Sequence, residues 1–264
     1  MNASQLFEAC QLQPAIDAQI QVVRANPADQ GARMFLYELF LFAGDLDRAR
    51  KQIDVLNYDD PKSVAAIERY RQVLDAEAMR RRVLAGQEQP KTLTDAPAHV
   101  FHRLEAIKHY AAGDTAKGDE ALAQANAETP DVKAKLNETD IEGLRDGDDL
   151  FGTVIEVFGT GGIYCWVPLE QVESITLQAP RSPRDALLAP VALSMRNGPA
   201  GDVLVPAVYP GSWSVPDDTL RLGRAADWSE DEERPIRGIG GRVFLDAKGR
   251  TYPLLDWREL IVQA

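Results

Sequence analysis

The chain has 264 residues, 45% of them hydrophobic and 27% charged, which is the composition of a folded protein with room for one large or two medium domains. Its 41 acidic side chains outnumber 29 basic ones and set a formal net charge of -12. Such a surface repels phosphate backbones and anionic lipid, so it argues against nucleic acid and membranes as partners and for a basic or amphipathic protein.

The opening residues, Met1 to Glu8, lack the basic start and apolar run of a leader. From there to about Leu136 the sequence reads as helix after helix. Gln11-Leu12-Gln13-Pro14-Ala15 opens one helix, and Asn26-Pro27 ends it. Arg33 to Ala43 is apolar nearly all round, which requires burial between neighbours; its apolar part contains Glu38 and is too short to span a bilayer. Ser63 to Ala85 is a longer helix, with Ser63 as its N-cap, Gly86 just past its end, and Ile67, Tyr70, Leu74, Ala78 and Arg81 along one stripe. Glu77 and Arg81 stand at the spacing of an i,i+4 pair. A further helix carries His99, His102 and His109 opposite a core stripe of Val100, Leu104, Ile107 and Ala111. The three histidines are therefore expected on a solvated face, and a metal there is the minor alternative.

A repeat underlies these helices. Asp45 and Pro61, and Asp114 and Pro130, stand 16 positions apart, both pairs opened by Gly-Asp, and Pro27, Pro61, Pro97 and Pro130 follow at steps of 34, 36 and 33. A period near 34 of paired helices closed by proline is the tetratricopeptide pattern. Gly-Asp supplies the turn and the cap, and a small residue four positions on (Ala15, Ala49, Gly118) lets the helices approach. The consensus Trp and Tyr are absent, and a plain helical bundle is the alternative.

Beyond Leu136 the grammar changes. Strands are expected at Phe151–Phe158, Ile163–Val167, Val172–Leu177, Val203–Val208 and Arg242–Asp246, with turns at Gly159–Gly162, Asn197-Gly198, Pro210-Gly211, Gly238–Gly241 and Lys248-Gly249. The fold class is α+β: a TPR-like helical repeat domain over residues 1–136, then a smaller, mostly antiparallel β-rich domain over 137–264, with a hinge at Lys133 to Asp149. Alternation puts Ile163, Cys165 and Val167 on one face of a strand and Tyr164 and Trp166 on the other. Cys165 and Cys10 read as reduced, packed thiols. Neither glycine loop has the residues of a phosphate or dinucleotide loop. Asp146-Gly147-Asp148-Asp149 lacks the further ligands of a calcium loop and reads as a charged turn between domains. Arg184-Asp185, Arg221 with Arg224, and Asp227-Trp228 read as internal braces before interface anchors. No cofactor is implied.

These residues carry a family resemblance over nearly the whole chain. Asn26-Pro27 with Arg33, Ala43-Gly44-Asp45 with Arg48-Ala49, and Tyr70 through Arg80 support it in the helical half. The β half is more specific: Gly162 to Pro168 (GIYCWVP), Pro183-Arg184-Asp185, Pro206 to Ser212 with Tyr209, and Leu220 to Arg224 followed by Asp227-Trp228. The chain resembles the ImpE/TagJ/SciE family of accessory proteins encoded with bacterial type VI secretion systems. It departs from the family at Asp149–Thr153 and at Leu187-Leu188. The resemblance implies a non-enzymatic cytoplasmic adaptor that binds the N-terminal helical segment of the small sheath subunit and links sheath to a ClpV-type unfoldase. The rival readings are a metal-assisted hydrolase using Asp146, Asp148 and Asp149, and a self-associating scaffold with Trp213 or Trp228 exposed.

Overall fold

The computed structural model describes residues 1–229 and 235–263. The first half is helical: α1 (Ala3–Glu8), α2 (Leu12–Ala25), α3 (Gln30–Phe42), α4 (Leu46–Ile53), α5 (Pro61–Leu84), α6 (Ala98–Ala111) and α7 (Thr115–Glu128). The caps follow from the sequence. Asp29, Asp45, Asp60 and Asp114 each accept a backbone N–H in the first turn of their helix. Asp60, with Pro61 at the first helical position, starts α5 three residues before the expected Ser63, because a proline there loses no bonded N–H. Gly86 follows the end of α5 with φ +69°, as expected.

Both Gly-Asp turns form, with Gly44 at φ +69° and Gly113 at φ +77°. The small residue after each matters for packing. Ala49 is fully buried, and a Cβ on Gly118 would stand 2.5 Å from the Tyr110 ring. Leu36 to Phe42 of α3 are all buried, as their all-round apolarity demands. Helices α1 to α5 pack each against the next, and α6 and α7 form their own antiparallel hairpin.

The second half contains β1 (Ala134–Leu136), β2 (Thr139–Ile141), β3 (Arg145–Asp146), β4 (Val154–Gly159), β5 (Ile163–Pro168), β6 (Val172–Leu177), β7 (Leu188–Met195) and β8 (Ala200–Pro206). A short helix α8 (Asp218–Arg221) precedes β9 (Ala226–Trp228), β10 (Gly238–Gly240), β11 (Val243–Leu245), β12 (Thr251–Pro253) and β13 (Glu259–Val262). Eight strands form one antiparallel sheet in the order β2-β1-β13-β6-β7-β8-β4-β5, beside a three-stranded sheet β12-β11-β3 and the pair β10-β9.

Several expectations are corrected here. Residues 133–149 are not a hinge: β1 pairs along its length with the C-terminal strand β13, and β3 pairs with β11. Gly238–Gly240 is a strand rather than a hairpin turn, because a Cβ on Gly238 or Gly240 would collide with Tyr209 or the Ala225 carbonyl. The central strand β7 was not anticipated. Pro190 interrupts its donor pattern, which disguises a strand in a sequence reading.

Two cores result. The first joins the helices to one face of the large sheet through Phe151, Val154, Phe158, Tyr164 and Trp166. The second holds Cys165 and Val167 from the opposite face together with Phe244 and Trp257, whose rings lie 4.6 Å apart. The predicted alternation along β5 therefore separates two interiors, except that Ile163 at its start is exposed. Burial in the second core pushes the Cys165 thiol up to about 11.

Candidate functional site

The densest chemistry lies where α5 crosses the large sheet. Alternation puts Glu156 of β4 on the same face as Val154 and Phe158, beneath α5. Arg80 meets it with a two-pronged pair, Nε to Oε1 and Nη2 to Oε2, both at 2.7 Å. Arg242 reaches Glu156 from the other side and lies 3.4 Å from Asp146 Oδ2. The Tyr164 hydroxyl donates to Glu156 Oε1 at 2.5 Å and accepts from the Trp166 indole at 2.6 Å. All these groups are buried. Burial alone would raise the Glu156 carboxyl, but Arg80 and Arg242 hold it down at about 2. Burial, with the Asp148 carboxylate nearby, carries Asp146 up to about 7 against the pull of Arg242 and the hydrogen bonds from Asp148 N and Tyr209.

The acidic turn belongs to this network. Asp148 is fully buried, accepts from Arg237 Nε at 2.9 Å and from Gly238 N at 3.1 Å, and caps its own turn through Leu150 N at 3.0 Å. The Tyr209 hydroxyl lies 2.8 Å from Asp146 Oδ1 and from the Val243 carbonyl oxygen. Two of the three acids considered for a hydrolase are thus enclosed and bonded. Among the described residues no group of three His, Cys, Asp or Glu side chains comes together to hold a metal.

The other residues singled out in the sequence are dispersed. Arg33 ties α3 to the Pro27 carbonyl oxygen at 2.8 Å and to Gln52 at 3.2 Å. Arg184 pairs with Asp185 at 3.1 Å and lies over the Tyr70 ring, 4.6 Å from its centroid. Arg221 pairs with Asp218 at 2.9 Å, and the other Asp218 oxygen caps Leu12 N at the start of α2, 2.7 Å away. Arg224 reaches α1, bonding the Glu8 carbonyl oxygen at 2.6 Å and the Glu8 carboxylate at 3.0 Å. Asp227 is exposed, and among the described residues its carboxylate accepts from the next backbone N–H alone. Trp228 and Trp213 are half-buried, not exposed; Arg81 covers the Trp213 ring at 3.9 Å and donates to the Gly44 carbonyl oxygen. A Cβ on Gly44 would meet Trp213 at 2.4 Å, so that glycine serves both its turn and this contact.

The histidine face differs from expectation. His99 is 1% exposed, with Nε2 2.6 Å from Glu170 Oε1 on the sheet side, while Ala111 of the expected core stripe is exposed. Helix α6 is turned so that His99, Val100, Arg103, Ala106 and Ile107 face inward, because it packs against α7 and reaches the connecting segments of the β half through His99–Glu170 and Arg103–Asp149. Sequence reasoning passed over Arg80, Arg103, Glu156 and Arg242. The one signal for Glu156 was an acid on the apolar register of a strand.

That rotation leaves Phe101 53% exposed on α6. It sits in a seam between the C-terminal end of α5 and α6, lined by Val83, Leu104, Glu88, Glu105 and Lys108, with a volume of about 240 Å³.

Comparison with known proteins agrees with this architecture. The type VI secretion system accessory component TagJ of Pseudomonas aeruginosa is 32% identical over 260 residues, covering 98% of this chain and 90% of TagJ. The chain belongs to the ImpE family. The family model described as ImpE protein matches residues 138–261, which hold the strands from β2 onward and the Glu156–Arg242–Asp146 network. The crystal structure of protein VPA1032 from Vibrio parahaemolyticus superimposes with a TM-score of 0.90 at 22% identity, covering 99% of this chain and 97% of that one. The helical half and the antiparallel β half are therefore the shared fold of both.

Proposed function

We propose that this ImpE-family chain is a non-enzymatic accessory adaptor of a bacterial type VI secretion system. In this reading it works in the cytoplasm, takes the N-terminal helical segment of the small sheath subunit, and links sheath to the ClpV-type unfoldase that recycles it. The end-to-end likeness to TagJ carries the accessory role. The stacked helices with their Gly-Asp turns support a tetratricopeptide-like reading of the first half.

The seam beside Phe101 is where the helix is proposed to dock. A partner helix would insert one apolar anchor against Phe101, Val83 and Leu104, and place basic residues against Glu88 and Glu105. The net charge of -12 favours capture of such a helix and makes binding weaken with salt. The test is co-purification of the full chain with the small sheath subunit, intact and lacking its N-terminal helix. Loss of binding on removing that helix is the expected result; equal retention of both forms overturns the reading.

A further inference from the structure

Arg103 of α6 is 1% exposed, yet among the described residues it forms no ion pair of the kind the other buried arginines have, and Asp149, Glu170 and Asp146 act on it only from beyond contact. Its Nη1 donates to the Asp149 carbonyl oxygen at 2.8 Å, and its Nη2 donates to Asn126 Oδ1 at 2.9 Å and Thr129 Oγ1 at 3.0 Å. All three acceptors are neutral. Among the described residues Arg103 has no ion-pair partner, whereas Arg80 and Arg242 both contact Glu156. A buried guanidinium without an anion is costly unless something supplies the missing charge.

The surroundings sharpen the point. Arg103, Asn126, Thr129, Arg145, Gly152 and Thr153 line an open cleft of about 240 Å³. Arg145 adds a second guanidinium, half-exposed and held by Asp149 at 3.3 Å. Burial and the nearby Arg145 together lower Arg103 to about 10, so the site disfavours its own positive charge. Two enclosed polar atoms on these lining residues, Arg103 Nε and Thr153 Oγ1, have no hydrogen-bond partner. Gly152 has φ +54°, and a Cβ there would stand 2.2 Å from Arg103 Nη2, so only glycine lets the guanidinium lie against this wall. Asp131 also lines the cleft, but it is exposed.

We propose that this cleft binds a small oxyanion, a carboxylate or a phosphate, through Arg103 and Arg145 with Thr153 as a further donor. Two guanidiniums exclude a cation, and an apolar occupant would leave Arg103 uncompensated. Oxyanions match the geometry because Arg145 presents a planar fork of N–H donors to two oxygens, and Arg103 adds its charge and a second, undonated Nη1 hydrogen beside it. The inference is independent of the adaptor reading.

The test titrates the full chain separately with inorganic phosphate and with acetate against chloride at constant ionic strength, following heat and melting temperature. Saturable binding of either anion is expected, and the one that binds identifies the source chemistry. Arg145→Glu, at the exposed mouth, is expected to weaken that binding at least about tenfold while the circular dichroism spectrum stays unchanged. Arg103→Lys, which keeps the charge but loses the undonated Nη1 hydrogen, is expected to weaken it as well if that variant folds. No saturable response to either anion beyond chloride, or equal binding by Arg145→Glu, overturns the proposal.

Discussion

Arg80 on α5 and Glu156 on β4, 76 residues apart in sequence, form a buried two-pronged ion pair with both N–O distances at 2.7 Å. Arg242 shares the same carboxylate, so Glu156 is the common partner of two guanidiniums, with Glu77 beside Arg80 and Asp146 beside Arg242 at 3.4 Å each. The pair spans the boundary between the helical and β halves and makes their contact depend on charge as well as apolar packing.

Replacing Glu156 with Gln is expected to destabilise the protein by about 3–5 kcal/mol, because Arg80 would keep only the longer pair to Glu77, and Arg242 only Asp146, whose carboxyl is raised to about 7. Urea unfolding at neutral pH reads this directly. A loss below about 1 kcal/mol would mean that water or Asp146 takes over the compensation.

Glu38 in α3 is buried, and burial pushes its carboxyl up to about 7 although Arg184 pulls it down. In the unfolded chain it ionises near its ordinary value of 4.5. Between those two values the folded state keeps a proton that the unfolded state has released. This group therefore removes stability as pH rises from 4.5 towards 7, and the loss levels off above 7. Asp146, also raised to about 7, adds a slope of the same sign. Glu38→Gln should gain roughly 2 kcal/mol relative to the parent between about pH 5 and pH 8. Unfolding midpoints of both proteins at these two pH values check it, and parallel pH profiles would show that Glu38 does not hold its proton.

Gly152 and Gly249 both have positive φ, at +54° and +73°, but only Gly152 faces a neighbour where its Cβ would be. Alanine at 249 should cost about 1 kcal/mol from backbone strain alone. Alanine at 152 should cost at least about 3 kcal/mol, since it must also displace the Arg103 guanidinium. Melting temperatures of the two variants separate these outcomes.

Phe101→Asp removes the exposed ring from the α5–α6 seam without emptying a core. Its stability should stay within about 0.5 kcal/mol of the parent. Its affinity for the small sheath subunit should fall at least about tenfold, measured by calorimetry with the isolated N-terminal helical peptide. Unchanged affinity would move the docking surface away from this seam.

Local rules were legible in the sequence wherever one residue and its near neighbours decide the outcome. The Gly-Asp turns with their Asp45 and Asp114 caps, the burial of Leu36 to Phe42 within the apolar stretch from Arg33 to Ala43, and the alternation of Tyr164 and Trp166 against Cys165 depend only on backbone geometry and on the period of apolar residues. Motif order also sufficed for the family.

Tertiary structure decided everything that depends on which faces meet. The pattern of α6 fits more than one inward face, and packing against α7 and the connecting segments of the β half turned His99 and Arg103 inward and left Phe101 outside. The spacing of α5 suggested Arg81 on its apolar stripe, but the sheet selected Arg80, because only Arg80 lies over Glu156. The acidic turn at 146–149 reads as solvated in one dimension and is buried by Tyr209, Arg237 and Arg242, which come from 63 to 96 positions further along the chain. Buried charges such as Glu156 and Asp148 are held by opposite charges from distant parts of the chain, and no local pattern records that meeting.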